Sequence, residues 1–176
     1  MGYTHFWRQL RDFTDTEWKE LSRLTKLITA DNNGILADGY GENGKPKING
    51  EHIWFNGIGE DGHETFCITK KKRAKMDHEE QEEYDRQGAF ESCKTARKPY
   101  DKYVVAVLCA LSDMNIKLAQ EKHPVLYISS DGNTADWPDG LFHAVRSTRE
   151  ESILCPIRDC LTLSYVDYID SKKKTG

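Results

Sequence analysis

No stretch of this chain approaches the roughly 18 consecutive apolar residues that cross a bilayer, and its mean hydropathy is low, −0.73. The opening, MGYTHFWRQLRDF, lacks the apolar centre of a secretory leader, and Phe6 stands where a myristoylation motif needs Ser or Thr. A soluble, reduced, cytoplasmic protein without a membrane partner is expected. Basic charge is not in excess: 25 Lys and Arg face 29 Asp and Glu, a net charge of −4. That argues against an extended nucleic-acid surface. Five cysteines, at 67, 93, 109, 155 and 160, show no zinc-knuckle spacing. There is no Gly-Lys-Ser/Thr for a phosphate loop and no His-x-x-x-His for a zinc protease. His63-Glu64-Thr65 is a single His-x-Thr, without the second copy that two-histidine phosphoesterases use. Neither a cofactor nor a metal is expected.

What is present fits one domain of 176 residues. Tyr3 to Trp7 reads as a strand rich in aromatics. Thr14 and Glu17 form a capping-box pair, and Trp18, Leu21, Leu24, Leu27 and Ile28 recur at helical spacing to a stop at Asn32-Asn33-Gly34. From Ile35 to Gly50 the chain is turn-prone, with short strands expected at 35–37 and 46–49. Residues 52–56 and 64–69 read as a hairpin. Residues 70–88 run from basic to acidic with little to bury, so they read as a solvated helix or a mobile arm. Pro99 opens a helix through about 113 that is apolar on nearly all sides. Val125 to Ser129 reads as a central strand, Trp137-Pro138 leads a short helix to about Arg146, and an edge strand is expected at 153–169 within the extension 149–176. The expected class is α+β: one domain with four or five mostly antiparallel strands, covered on one face by helices at 14–31 and 99–113.

Chemistry concentrates in FESCKTARKPYD, Phe90 to Asp101. Lys94, Thr95, Arg97 and Lys98 precede a buried helix, whose first turn has unpaired N–H groups and a positive dipole end. A phosphate there would gain charge-assisted hydrogen bonds of about 1.5–3 kcal/mol each when shielded from water. The alternative is that Lys98, Asp101 and the dipole satisfy one another. Tyr3, His5 and Trp7 share one strand face, either as a stacking row for a base or as a core layer. Trp54 and Asn56 pair a ring with an amide on another strand. Ser130-Asp131-Gly132 either meets a sugar hydroxyl or closes an ordinary Asx turn. Cys93 next to Lys94 has the makings of a nucleophile, although a phosphatase loop would need Arg at the position of Pro99.

The opening GYTHFW resembles the GYTHYW-like start of small proteins carried by phages and prophages. Those proteins also carry Cys-Lys-Thr and then Lys-Pro-Tyr-Asp before an apolar helix, here Cys93-Lys94-Thr95 and Lys98-Pro99-Tyr100-Asp101. By analogy, the resemblance implies a protein that sequesters a phosphorylated nucleotide, such as a cyclic nucleotide or ADP-ribose derivative used as a bacterial immune signal. The expected ligand contacts are phosphates on Lys94, Thr95, Arg97 and Lys98 with Asp101 at the same helix end, a base on Trp7, Trp54 or Tyr100 beside the row that Tyr3 opens, and polar edges on His5, Asn56 and Asp131. A homo-oligomer enclosing the ligand is expected. Two alternatives stay open: an enzyme acting on the same ligand through His5 and Asp101 or His63 and Glu64, and an inhibitor that binds a protein through 70–86.

Overall fold

The structure, a computed structural model, describes residues 2–118, 125–133 and 135–157. The chain is α+β, with all strand pairs antiparallel. Strand β1 (Thr4–Gln9) is followed by helix α1 (Asp15–Ala30). Thr14 accepts from Glu17 N while the Glu17 carboxylate accepts from Thr14 N, so both ends of the capping box close. Arg11 clamps that carboxylate through both guanidinium nitrogens, at 2.9 and 2.7 Å. Strands β2 (Leu36–Ala37), β3 (Lys47–Ile48), β4 (His52–Gly57) and β5 (Phe66–Thr69) follow, and β4 pairs with the other three.

The charged stretch 70–88 is a structured crossover rather than a loose arm. Lys72 N and Arg73 N donate to Asp12, Arg73 pairs with Asp85, and Lys72 pairs with Glu91. Helix α2 (His78–Gln87) is solvated except for Tyr84, which is buried. Gly88, at φ 73°, turns the chain into β6 (Ala89–Lys94). The sequence reads Cys93 and Lys94 as loop, but they belong to this strand, which pairs with β1 from Thr4↔Lys94 to Gln9↔Ala89.

Helix α3 (Asp101–Leu118) is buried continuously from Tyr103 to Leu111. Strand β7 (Leu126–Ser130), expected at the centre of a sheet, is instead at one side of the order β6-β1-β7. Helix α4 (Pro138–Thr148) packs on α1 and α3. One continuous core joins Trp7 of β1, Leu21 and Ile28 of α1, Phe55 and Phe66 of the second sheet, and the middle of α3. Most of the edge strand expected at 153–169 lies outside the described residues.

Candidate functional site

The segment from 94 to 101 turns inward rather than opening to a ligand. Lys98 N donates to Thr95 O at 3.0 Å, closing a tight turn, and Ala96 and Arg97 at its tip take φ of 51° and 56°. Thr95 is buried, and its hydroxyl donates to Asp101 Oδ1 at 2.5 Å. His5 Nε2 lies 2.8 Å from the same oxygen. The three side chains tie β1 to the start of α3, so Asp101 is a structural acceptor at the helix's positive end. The exposed Arg97 guanidinium lies 4.2 Å from the Tyr3 ring centre and pairs with Asp136 at 3.2 Å. Lys98 Nζ donates to Glu60 O at 2.8 Å. Lys94 is half-buried, and its backbone N–H donates to Glu64 Oε2. The cations are thus mostly engaged with the protein itself, and none of them lines a described cavity.

The aromatic row also points inward. Tyr3, His5 and Trp7 share a face as the alternation requires, but that face is the core, with exposures of 1%, 0% and 2%. His5 meets the edges of Tyr3 and Trp137 at ring separations of 4.9 and 5.3 Å. A base cannot reach rings packed in this way, so the core-layer alternative holds for this row. Tyr100 is likewise buried, its hydroxyl donating to Glu64 O at 2.7 Å. Trp54 is half-buried, with Tyr40 edge-on at 4.9 Å and Lys47 over its ring at 4.9 Å. The Asn56 side chain donates to His63 O and accepts from Gly57 N and His63 N, so it holds the 57–63 loop together. Asp131 Oδ1 accepts from Thr4 N at 2.7 Å.

Of the catalytic alternatives, His5 and Asp101 do meet, but His5 is buried and the carboxylate is also held by Thr95, so the pair is built into the fold; the others form no array. Cys93 is fully buried, and burial pushes its thiol up to about 12, which suppresses the thiolate a nucleophile needs. His63 and Glu64 are exposed. Among the described residues no three His, Cys, Asp or Glu side chains converge to hold a metal ion.

A cleft of about 860 Å³ lies elsewhere, between the end of α1 and the 43–48 segment. Lys26 and Thr29 of α1 form one wall, Asn43, Gly44, Lys45 and Pro46 the other, and Leu36, Ile48 and Ile58 supply apolar surface. Its volume lies in the range of about 300–1,000 Å³ typical of small-molecule sites. The lining holds two lysines and no carboxylate. Neither lysine is in an ion pair among the described residues. Asp38 Oδ1 accepts from the backbone amide of Tyr40 at 3.0 Å, while its Oδ2 lies against Gly44 at the edge of the cleft. The C-terminal end of α1, with about half a negative charge, and the neighbouring Asp38 oppose an anion, while Lys26 and Lys45 in the lining favour one. Asn32 is committed to the fold: its side chain donates to Thr29 O and accepts from Gly34 N. The Asn43 amide makes no hydrogen bond among the described residues.

Sequence reasoning missed this cleft because its walls come from residues 26 to 58 and lack a shared pattern. The local signal was Asn43-Gly44-Lys45-Pro46, which reads as an ordinary turn. Comparison with known proteins finds no matching family model, no similar curated protein and no similar solved structure.

Proposed function

We propose that this protein binds and holds a phosphorylated, nucleoside-sized molecule in the cleft between α1 and residues 43–48. The carrying observation is a cavity of about 860 Å³ whose charged lining is two lysines without a carboxylate. Lys26 and Lys45 meet the phosphate oxygens, Asn43 offers a donor and an acceptor to a base or sugar edge, and Leu36, Ile48 and Ile58 take the apolar face. In keeping with the resemblance carried by GYTHFW and Cys93-Lys94-Thr95, the ligand is a signalling nucleotide of a bacterial host, a cyclic nucleotide or ADP-ribose derivative. Sequestration needs roughly nanomolar affinity, about −12 kcal/mol. An open cleft reaches that when a second copy covers it, so the reading includes a homo-oligomer.

The test is calorimetric titration with a panel of cyclic nucleotides and ADP-ribose derivatives. Lys26→Ala and Lys45→Ala each weaken binding about tenfold, the low end for a charge-assisted contact because the cleft is open. The melting temperature changes little, since substitutions of exposed side chains stay within about 0.5 kcal/mol. Ligand recovered intact after heat denaturation supports holding, and altered ligand supports catalysis. Loss of binding on Lys94→Ala with Arg97→Ala, and none on Lys26→Ala with Lys45→Ala, returns the site to the 94–98 turn.

A further inference from the structure

The outer face of the β6-β1-β7 sheet carries aromatic rings where an antiparallel sheet normally presents polar side chains to water. Directly opposed residues share a face, so the register puts Phe6, Ser92 and Ser129 in one row and Arg8, Phe90 and Tyr127 in the next. Phe90 is 58% exposed and Tyr127 61% exposed. Phe6 and Phe90 stack at 5.9 Å with 24° between their planes. The Arg8 guanidinium lies 5.6 Å from the Phe90 ring centre. Phe90 and Tyr127 flank Arg8 on either side, two strand spacings apart, or about 10 Å. Single exposed aromatics are ordinary, but rings on three neighbouring strands form a contiguous patch.

We propose that this face is a stacking platform for two or three unpaired bases of single-stranded nucleic acid. Every base has a π-face, so exposed rings on a sheet recognise single strands with little sequence preference. The charge agrees. Arg8 and Lys94 face outward here, opposed to Phe90 and Thr4 respectively, and the outward residues of the three strands include no carboxylate. Asp131, just past the end of β7, is held by Thr4 N. Arg8 gives Nη1 to Gln87 O and keeps its other donors for phosphate. Ser92 and Ser129 add hydroxyls beside the rings. A second copy docking on this face by a twofold would bring the same cations to one seam without opposing carboxylates. The platform is compact, which reconciles it with a net charge of −4.

The test is fluorescence anisotropy of the full chain with labelled ten-nucleotide oligo-dT and oligo-rU and with a duplex of the same length. The expected Kd for the single strands at low salt is about 10 μM, with the duplex at least tenfold weaker. Phe90→Ala and Tyr127→Ala each weaken binding about tenfold, as loss of one stacked base requires. Phe90→Leu, which keeps an apolar side chain but no ring, weakens it as Phe90→Ala does, separating stacking from folding. Two neutralised phosphates give a salt slope of about −1.4, which Arg8→Ala with Lys94→Ala flattens. Lys26→Ala with Lys45→Ala leaves oligonucleotide binding unchanged, so failure here and failure of the cleft are read independently. The proposal is overturned by absence of binding at low salt, by binding that the ring variants do not change, or by self-association that the ring variants abolish without any oligonucleotide binding.

Discussion

Ala96 and Arg97 hold consecutive φ values of 51° and 56°, where an L side chain costs about 1–2 kcal/mol. The turn is held by its surroundings: Thr95 N and Ala96 N both donate to Tyr3 O, and Lys98 N returns to Thr95 O. Arg97 is compensated by the Tyr3 face and by Asp136. Ala96 has the backbone bond to Tyr3 O but no charge or ring partner for its methyl, so its side chain offsets none of the strain. Glycine removes that strain and adds back about 0.5–1 kcal/mol of unfolded-chain entropy. Ala96→Gly is therefore expected to stabilise the protein by roughly 0.5 kcal/mol, seen as a higher urea midpoint at unchanged slope. Arg97→Gly removes similar strain but loses the ion pair and the ring contact, so its midpoint stays level or falls. Equal gains from both substitutions would mean that the contacts of Arg97 contribute nothing.

At the scale of elements, what the sequence made legible is what local chemistry decides. Thr14 and Glu17 stand three residues apart and start α1 on their own, and Pro138 does the same for α4. Tyr103 to Leu111 has no polar side to offer water, so its burial could be foreseen. Strand β6 could not, because Glu91, Ser92 and Lys94 look like loop until β1 is there to pair with them. The same holds for the 94–98 turn, whose cations announce an anion site until Asp136 and Glu60 O occupy two of them. The packing of α4 on α3 is another non-local fact. A Cβ on Gly140 would sit 2.3 Å from Val105 Cγ1 and 3.1 Å from Lys102 O. Gly140→Ala therefore forces the helices apart, costing about 1–3 kcal/mol for overpacking, less about 1 kcal/mol for the better helix former. At a net cost of about 1 kcal/mol, the middle of that range, the melting temperature is expected to drop by about 2–4 °C. Val105→Ala frees the clashing methyl, so the double variant should be less destabilised than the sum of the singles. Strict additivity would show that the two helices do not meet there.

The whole molecule depends on α1, α3 and α4 packing together, and His143 sits where all three meet. It is buried on α4, its Nε2 lies 2.8 Å from Ile28 O of α1, and its ring meets the edge of Tyr103 of α3 at 4.8 Å. Burial is the main cause that holds this imidazole below its ordinary value, and Lys102 and Arg146 push it the same way. The bond to Ile28 O and the carboxylate of Asp31 oppose them without prevailing. In the unfolded chain the ring takes up its proton near pH 6.5, while the folded protein resists. As pH falls below about 6.5 the unfolded state binds more protons, so stability is full above that value and is lost as pH descends toward the depressed folded value. Glu17, held below the carboxylate range by Arg11, has the same sign but acts only at lower pH. The urea midpoint is therefore expected to fall between pH 7.5 and pH 5.5. His143→Gln keeps an amide donor for Ile28 O and removes the titrating ring, so it should start lower at pH 7.5 and change less across the window. A variant that declines as steeply as the parent would place the proton-sensitive group elsewhere and leave the three-helix junction indifferent to pH.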